Sequence, residues 1–175
     1  MEPERSNERS FFYTRVFANI GLMEIVLKSL QDTQKIAKKI AKDLVKNSGS
    51  VLALYGNLGS GKTTFTQFLA KALGVKEKIL SPTFVIMKTY KRDTNTRIHA
   101  NDTNRIRNLV HIDTYRLNSA KDLTSLGLKD LLKDKENILV IEWPEKVEKL
   151  LPKNTVRIYF SVVNEKERKV VIKNY

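Results

Sequence analysis

Val51-Leu52-Ala53-Leu54-Tyr55-Gly56-Asn57-Leu58-Gly59-Ser60-Gly61-Lys62-Thr63 runs from an unbroken apolar stretch through a glycine turn into a segment with helical apolar spacing. The order is strand, glycine loop, helix, which is the setting a phosphate-binding loop requires. Each residue type has a physical task. Glycines let the backbone curl so that successive N–H groups share one concavity, and the positive end of the following helix adds to its attraction for phosphate. Lys62 reaches terminal phosphates in this reading, and the Thr63 hydroxyl serves Mg²⁺, a cation that takes oxygen ligands. Thr64 is a further hydroxyl with no assigned task. The loop predicts a nucleotide site on an α/β fold.

Downstream of the loop, Phe65, Phe68, Leu69, Ala72 and Leu73 keep helical spacing and Gly74 closes the helix, so the element carrying Thr63 is anchored in the core. Upstream, Asp32 or Thr33 caps a helix whose residues Ile36, Ile40, Leu44 and Val45 share one face, with lysines on a solvated face opposite. Residues 24 to 28, with Ile25, Val26 and Leu27, are expected to form an edge strand. A coherent strand pattern begins only after Met23. The first 22 residues therefore read as a disordered extension or as sequence ahead of a working start at Met23, with residues 23–175 as a single domain.

Two later apolar runs end in acids: Leu109-Val110-His111-Ile112-Asp113 and Asn137-Ile138-Leu139-Val140-Ile141-Glu142. In open α/β sheets ligands sit off the carboxyl ends of the strands, so both acids are candidates to face a metal-bound nucleotide. One carboxylate can hold Mg²⁺ and the other can orient attacking water. His111 shares a strand side with Asp113 and reads as structural or as a hydrogen-bond donor near phosphate. Ser81-Pro82-Thr83-Phe84 precedes an expected strand through Val85, Ile86 and Met87. It is either a plain entry turn or a switch whose Thr83 touches the terminal phosphate. Arg116 supplies charge to a transferring phosphoryl group or pairs with a neighbouring acid. Trp143-Pro144 either walls off water or simply packs.

From Lys91 to Asn108 the chain carries Arg92, Arg97, Arg105 and Arg107 among polar residues, a solvated basic loop insertion with no aromatics interleaved for stacking on bases. Ser119 and Asp122 form a capping pair before Leu123 and Leu126, and Gly127 divides that helix from a turn bearing Leu131 and Leu132. Glu145 to Leu151 is a short helix. The tail alternates Val156, Ile158, Phe160 and Val162 with polar positions and returns through Val170, Val171 and Ile172, an antiparallel hairpin.

The 175 residues contain no cysteine, which removes disulfides, thiol nucleophiles and cysteine zinc sites. No apolar run approaches the ~20 residues of a membrane span, and a cytoplasmic location is expected. Lysine and arginine number 32 against 19 acids, a formal charge of +13. That balance draws a protein towards polyanions such as RNA, and a lysine-rich composition accounts for it equally.

Taken together, Lys62-Thr63-Thr64-Phe65 after the glycines, Ser81-Pro82-Thr83-Phe84, His111-x-Asp113-x-Tyr115-Arg116-Leu117, Leu126-Gly127 and Ile141-Glu142-Trp143-Pro144 resemble the TsaE family. Those are small bacterial P-loop ATPases of tRNA threonylcarbamoyladenosine (t6A) biosynthesis. The resemblance covers roughly Met23 to the final hairpin. It implies a three-layer P-loop NTPase fold, with a mixed, mainly parallel sheet, helices on both faces and antiparallel C-terminal strands. It further implies an ATPase that hydrolyses ATP slowly and supports modification of tRNA at adenosine 37, docking on the threonylcarbamoyl transferase subunit and its inactive paralogue, with tRNA met through that complex. By matching position, Gly59, Ser60, Gly61, Lys62, Thr63 and Thr64 resemble nucleotide contacts, as do Thr33 and Trp143. Thr63 and Glu142 resemble the magnesium ligands, and Lys62, Asp113 and Glu142 the residues needed for hydrolysis. The extension before Met23 and the 91–108 stretch exceed the family pattern. Two other readings remain open: a small P-loop kinase acting on a metabolite, and a nucleotide-regulated RNA-binding protein. No guanine-reading Asn-Lys-x-Asp string is present, which favours ATP over GTP.

Overall fold

A computed structural model describes residues 13–17, 22–46, 50–93, 95 and 106–174 of the chain. Its elements in chain order are β1 (Tyr13–Phe17), β2 (Leu22–Leu27), α1 (Leu30–Lys46), β3 (Val51–Tyr55), α2 (Lys62–Ala72), β4 (Met87–Lys91) and β5 (Asn108–Asp113). They continue with α3 (Ala120–Ser125), α4 (Leu128–Lys133), β6 (Asn137–Glu142), a 3₁₀ segment (Pro144–Leu150), β7 (Val156–Val162) and β8 (Arg168–Lys173). All the strands join one sheet in the order β1-β2-β8-β7-β3-β6-β5-β4.

The centre of the sheet is parallel, with β3 pairing β6 and β7, and β6 pairing β5. Every residue of β6 and all but the first of β5 are buried, the mark of strands covered on both faces. Leu52, Leu54, Ile138, Val140 and Leu109 face a core shared with Ile36, Ile40 and Leu44 of α1 and Phe65 and Leu69 of α2. Ala53, Leu139, Ile141, Val110 and Ile112 face the opposite core, with Leu123 of α3, Leu128 of α4 and Val147 of the 3₁₀ segment. This is the expected three-layer P-loop NTPase architecture. Burying each leucine contributes roughly 1.5–3 kcal/mol, so the two cores hold the sheet in register from both sides.

Alternation along the strands decides where the acids go. On β5 the odd residues share Leu109's side, and on β6 the even residues share that of Ile138 and Val140. Register then sets Asp113 beside Glu142 and Leu54 beside Glu142. His111, Asp113 and Glu142 all point towards the layer that contains α2.

Several expectations change. The antiparallel part of the sheet is larger than the C-terminal hairpin: β7 itself runs parallel to β3, while β8, β2, β1 and β4 each pair antiparallel with a neighbour. The 24–28 strand is not an edge, because β2 lies between β8 and β1. Within the segment expected to be a disordered extension, 13–17 form β1, whose backbone satisfies the outer side of β2. Residues 1–12 and 18–21 lie outside the described residues. Helix α1 begins earlier than expected: Ser29 is the cap, its hydroxyl accepting Asp32 N–H at 3.2 Å while the Asp32 carboxylate accepts Ser29 Oγ–H at 3.0 Å. The strand expected through Val85 starts only at Met87, and Phe84 and Val85 are exposed in a turn.

Arg92 is not solvated. It is buried, its Nε donating to Leu73 O at 2.8 Å and a terminal nitrogen to Ile106 O at 3.3 Å, which ties the start of the basic stretch to its end. Of that stretch, Thr94 and residues 96–105, including Arg97 and Arg105, lie outside the described residues. The Ser119–Asp122 cap forms as expected, Ser119 N–H donating to the Asp122 carboxylate at 3.0 Å. Among the described residues no helix is long and apolar enough to cross a membrane.

Candidate nucleotide site

The loop between β3 and α2 owes its shape to three glycines at positive φ: Gly56 (136°), Gly59 (74°) and Gly61 (104°). At Gly56 space adds to conformation, since a Cβ there would stand 2.3 Å from Phe160 O of β7. Only glycine lets the loop leave the sheet so close to its neighbour. Gly61 is the N-cap of α2 and offers no side-chain cap, so the N–H groups of the first helical turn are left for another acceptor. The helix beneath is rigid because Phe65 and Leu69 are buried and the Phe65 ring packs on Phe160 at 5.6 Å.

Lys62 is only 4 % exposed. Its ammonium donates to Gly56 O at 2.6 Å and Asn57 O at 3.1 Å and lies 4.0 Å from the centre of the Trp143 ring. Burial pushes its pKa below the usual lysine value, and the carboxylates of Glu142, Asp113 and Glu145 act against that shift. The lysine is a cation held in an expensive place, the condition under which phosphate oxygens are attractive partners.

Thr63 Oγ1 donates to Glu142 Oε2 at 3.1 Å, and the other Glu142 oxygen, Oε1, meets His111 Nε2 at 2.9 Å. Asp113 is engaged on both oxygens. Oδ2 accepts the hydroxyls of Ser81, at 3.1 Å, and Thr83, and Oδ1 accepts Tyr115 N–H at 2.9 Å. Trp143 follows Glu142 at φ 58°, sparsely populated for so bulky a residue. The turn is secured by Trp143 N–H to Leu54 O at 3.2 Å and by the Thr114 hydroxyl to Trp143 O, and it sets the indole 5.0 Å from the Tyr115 ring.

Two clefts flank the loop. One of about 260 Å³ brings Lys62, Thr63, Asp113, Glu142, Trp143 and Thr83 together. The other, about 290 Å³, is lined by Thr33, Ser60, Phe160 and the β7–β8 turn residues Glu165, Lys166 and Arg168. Gly59, Gly61 and Thr64 border both, so a chain of phosphates along the loop would connect them. Thr33, Gly59, Ser60, Gly61, Lys62, Thr63, Thr64, Asp113, Glu142 and Trp143, the positions matched to nucleotide, metal and hydrolysis roles, each line one of the two adjoining clefts, whereas His111 and Arg116 line neither.

The Arg116 guanidinium stacks 4.2 Å from the centre of the Phe84 ring, a contact that neither of its expected uses included. Sequence reasoning missed Ser81 and Tyr115 as partners of Asp113, and read the residues from Asn164 to Glu167 only as the turn of the C-terminal hairpin. His111 was legible as a candidate donor, but its partner was not. Cross-strand register supplies the His111 contact with Glu142, which one strand's pattern does not contain, while Ser81 reaches Asp113 from the loop before β4 and the Tyr115 bond is a local one two residues along.

A glycine loop leaving a central strand for a helix, with acids ending the two strands next along the sheet, defines a protein of the P-loop NTPase fold. Residues 27–170 match the family model described as "Threonylcarbamoyl adenosine biosynthesis protein TsaE", and the chain belongs to that family. It is 35% identical over 150 residues to the tRNA threonylcarbamoyladenosine biosynthesis protein TsaE of Treponema pallidum, covering 86% of this chain and 99% of the relative. The Aquifex aeolicus protein of that name is 35% identical over 153 residues, with 86% and 96% covered. The Bacillus subtilis one is 33% identical over 140 residues, with 80% and 78% covered. Among solved structures, that of Bacillus subtilis YdiB superposes with a TM-score of 0.66 at 26% identity, covering 87% of this chain and 85% of that one.

Proposed function

We propose that the protein is a magnesium-dependent ATPase of the cytoplasm that supports tRNA N6-threonylcarbamoyladenosine synthesis. In this reading it docks on the threonylcarbamoyl transferase subunit and its inactive paralogue, and meets tRNA through them. Membership of the family supports the pathway. The observation that carries the chemistry is the convergence of Lys62, Thr63, Glu142 and Asp113 on one cleft beside an uncapped helix N-terminus.

A hydroxyl and a carboxylate 3.1 Å apart are hard oxygen donors that suit Mg²⁺. Among the described residues no group of three or more acids, histidines or cysteines stands ready to hold a metal. Thr63 and Glu142 would therefore hold the cation together with water and substrate phosphate. When bound, it would neutralise charge on the phosphate oxygens.

The protein's own groups do the rest. First-turn N–H groups of α2 and the Lys62 ammonium grip the phosphates, and Lys62 exchanges carbonyl partners for phosphate oxygens as it does so. Asp113 orients the attacking water, whose oxygen bonds to the terminal phosphorus as the bridging P–O bond breaks, giving ADP and phosphate. Ser81 and Thr83 hold the carboxylate aimed at the cleft, and the rings of Trp143 and Tyr115 limit the entry of bulk water. Phosphate release from ATP and Mg²⁺ by the purified protein tests the reading. Lys62→Ala should lower it about a hundredfold or more with the fold intact by circular dichroism, and undiminished hydrolysis by that variant would overturn the site. Added phosphoryl acceptors should leave ADP release unchanged, which separates hydrolysis from a kinase reaction.

A further inference from the structure

His111 is wholly buried on β5, one strand in from the β4 edge of the sheet, and the mechanism above makes no use of it. Its Nε2 lies 2.9 Å from Glu142 Oε1, while Nδ1 has no partner among the described residues. A carboxylate only accepts, so Nε2 carries the hydrogen of this bond. Glu142 is thus held from two directions: the imidazole on Oε1 and the Thr63 hydroxyl on Oε2. Strand pairing makes the arrangement firm, because His111 lies opposite Val140 and Asp113 opposite Glu142 in one parallel ladder.

We propose that His111 is a positioning residue that sets cation choice, tying up Oε1 of Glu142 so that Oε2 alone serves the cation beside Thr63. The inference rests on the nucleotide and magnesium reading above. Mg²⁺ keeps a strict octahedron with several waters and is satisfied by one carboxylate oxygen. Ca²⁺ takes six to eight oxygens at longer distances and makes frequent use of both oxygens of a carboxylate. An oxygen already accepting an N–H offers less to a second positive partner, and a carboxylate pinned at one end cannot swing to present both. The imidazole therefore favours the smaller ion. Removing a hydrogen-bond partner of a metal ligand typically changes metal affinity 10- to 100-fold.

The test measures binding of a fluorescent, non-hydrolysable ATP analogue in EDTA, in Mg²⁺ and in Ca²⁺, for the full chain and for His111→Gln and His111→Asn. The glutamine amide reaches the place of Nε2, whereas the shorter asparagine amide stops near that of Nδ1. The wild type should bind more tightly in Mg²⁺ than in Ca²⁺. His111→Asn should lose that preference by about tenfold or more, with binding in EDTA within about twofold of wild type, and His111→Gln should keep most of it. An unchanged Mg²⁺ to Ca²⁺ ratio in both variants would overturn the proposal, as would equal losses in all three conditions, the result of a merely structural role. A wild type indifferent to Mg²⁺ would instead remove the functional reading on which the proposal stands.

Discussion

At the scale of single residues, the site is assembled from groups that the fold holds at a cost. Burial outweighs the attraction of the nearby acids for Lys62, and its pKa falls below the ordinary lysine value of 10.5. The folded protein thus binds this proton less tightly than the unfolded chain does. The penalty is complete below the folded pKa and is relieved as pH climbs through it towards 10.5. Lys62→Met, which keeps the stem and drops the charge, is expected to raise Tm at pH 7 by about 2–4 °C, the shift that ~1 kcal/mol makes in a domain of this size. The gap in urea midpoint between variant and wild type should narrow as pH approaches 10, and a constant gap would show that the ammonium is not destabilising. Gly56→Ala meets Phe160 O and a positive φ together, so it should cost about 1–3 kcal/mol in urea unfolding and weaken nucleotide binding.

Among the elements, β3 and the 3₁₀ segment are linked beside the phosphate loop. The Tyr55 hydroxyl, one residue before Gly56, donates to Glu148, whose carboxylate also takes Arg157 Nε at 2.9 Å. The Tyr55 ring stacks on Tyr159 at 4.5 Å, and burial with the Glu148 contact pushes the phenol's pKa well above its ordinary value. Tyr55→Phe keeps the stack and removes the bond. Because Glu148 is partly exposed, the expected loss is about 1 kcal/mol, read as a lower urea midpoint with an unchanged m-value. Strand β1 pairs with β2 alone, and β2 has its own ladder on β8. A chain starting at Met23 should therefore fold and hydrolyse ATP, with β2 as the new edge. Loss of cooperative unfolding in that chain would show that β1 is required.

For the whole molecule, the formal charge of +13 acts as a diffuse self-repulsion. Salt shortens its reach, with a Debye length of about 10 Å at 0.1 M. Raising NaCl from low to moderate concentration should lift Tm by about 2–4 °C, measured by calorimetry, and weaken any nonspecific RNA binding in parallel. A Tm that falls would mean that specific ion pairs, such as Lys76 with Asp93 at 2.8 Å and Arg107 with Glu136 at 3.1 Å, outweigh the repulsion.

The sequence alone determined the phosphate loop, the helix behind it and the two acid-terminated strands, because each of these is a contiguous pattern governed by local sterics and by periodic burial. It also placed Lys62 and Thr63, whose positions follow from the glycines beside them. Tertiary structure decided which acid meets which partner. Glu142 reaches Thr63 and His111 because β6 lies between β3 and β5 in parallel register, and Asp113 reaches Ser81 and Thr83 because their loop leads into β4, which pairs antiparallel with β5. Strand order and register arise from the packing of two cores around the sheet, a balance among residues far apart in the chain that no local spacing records.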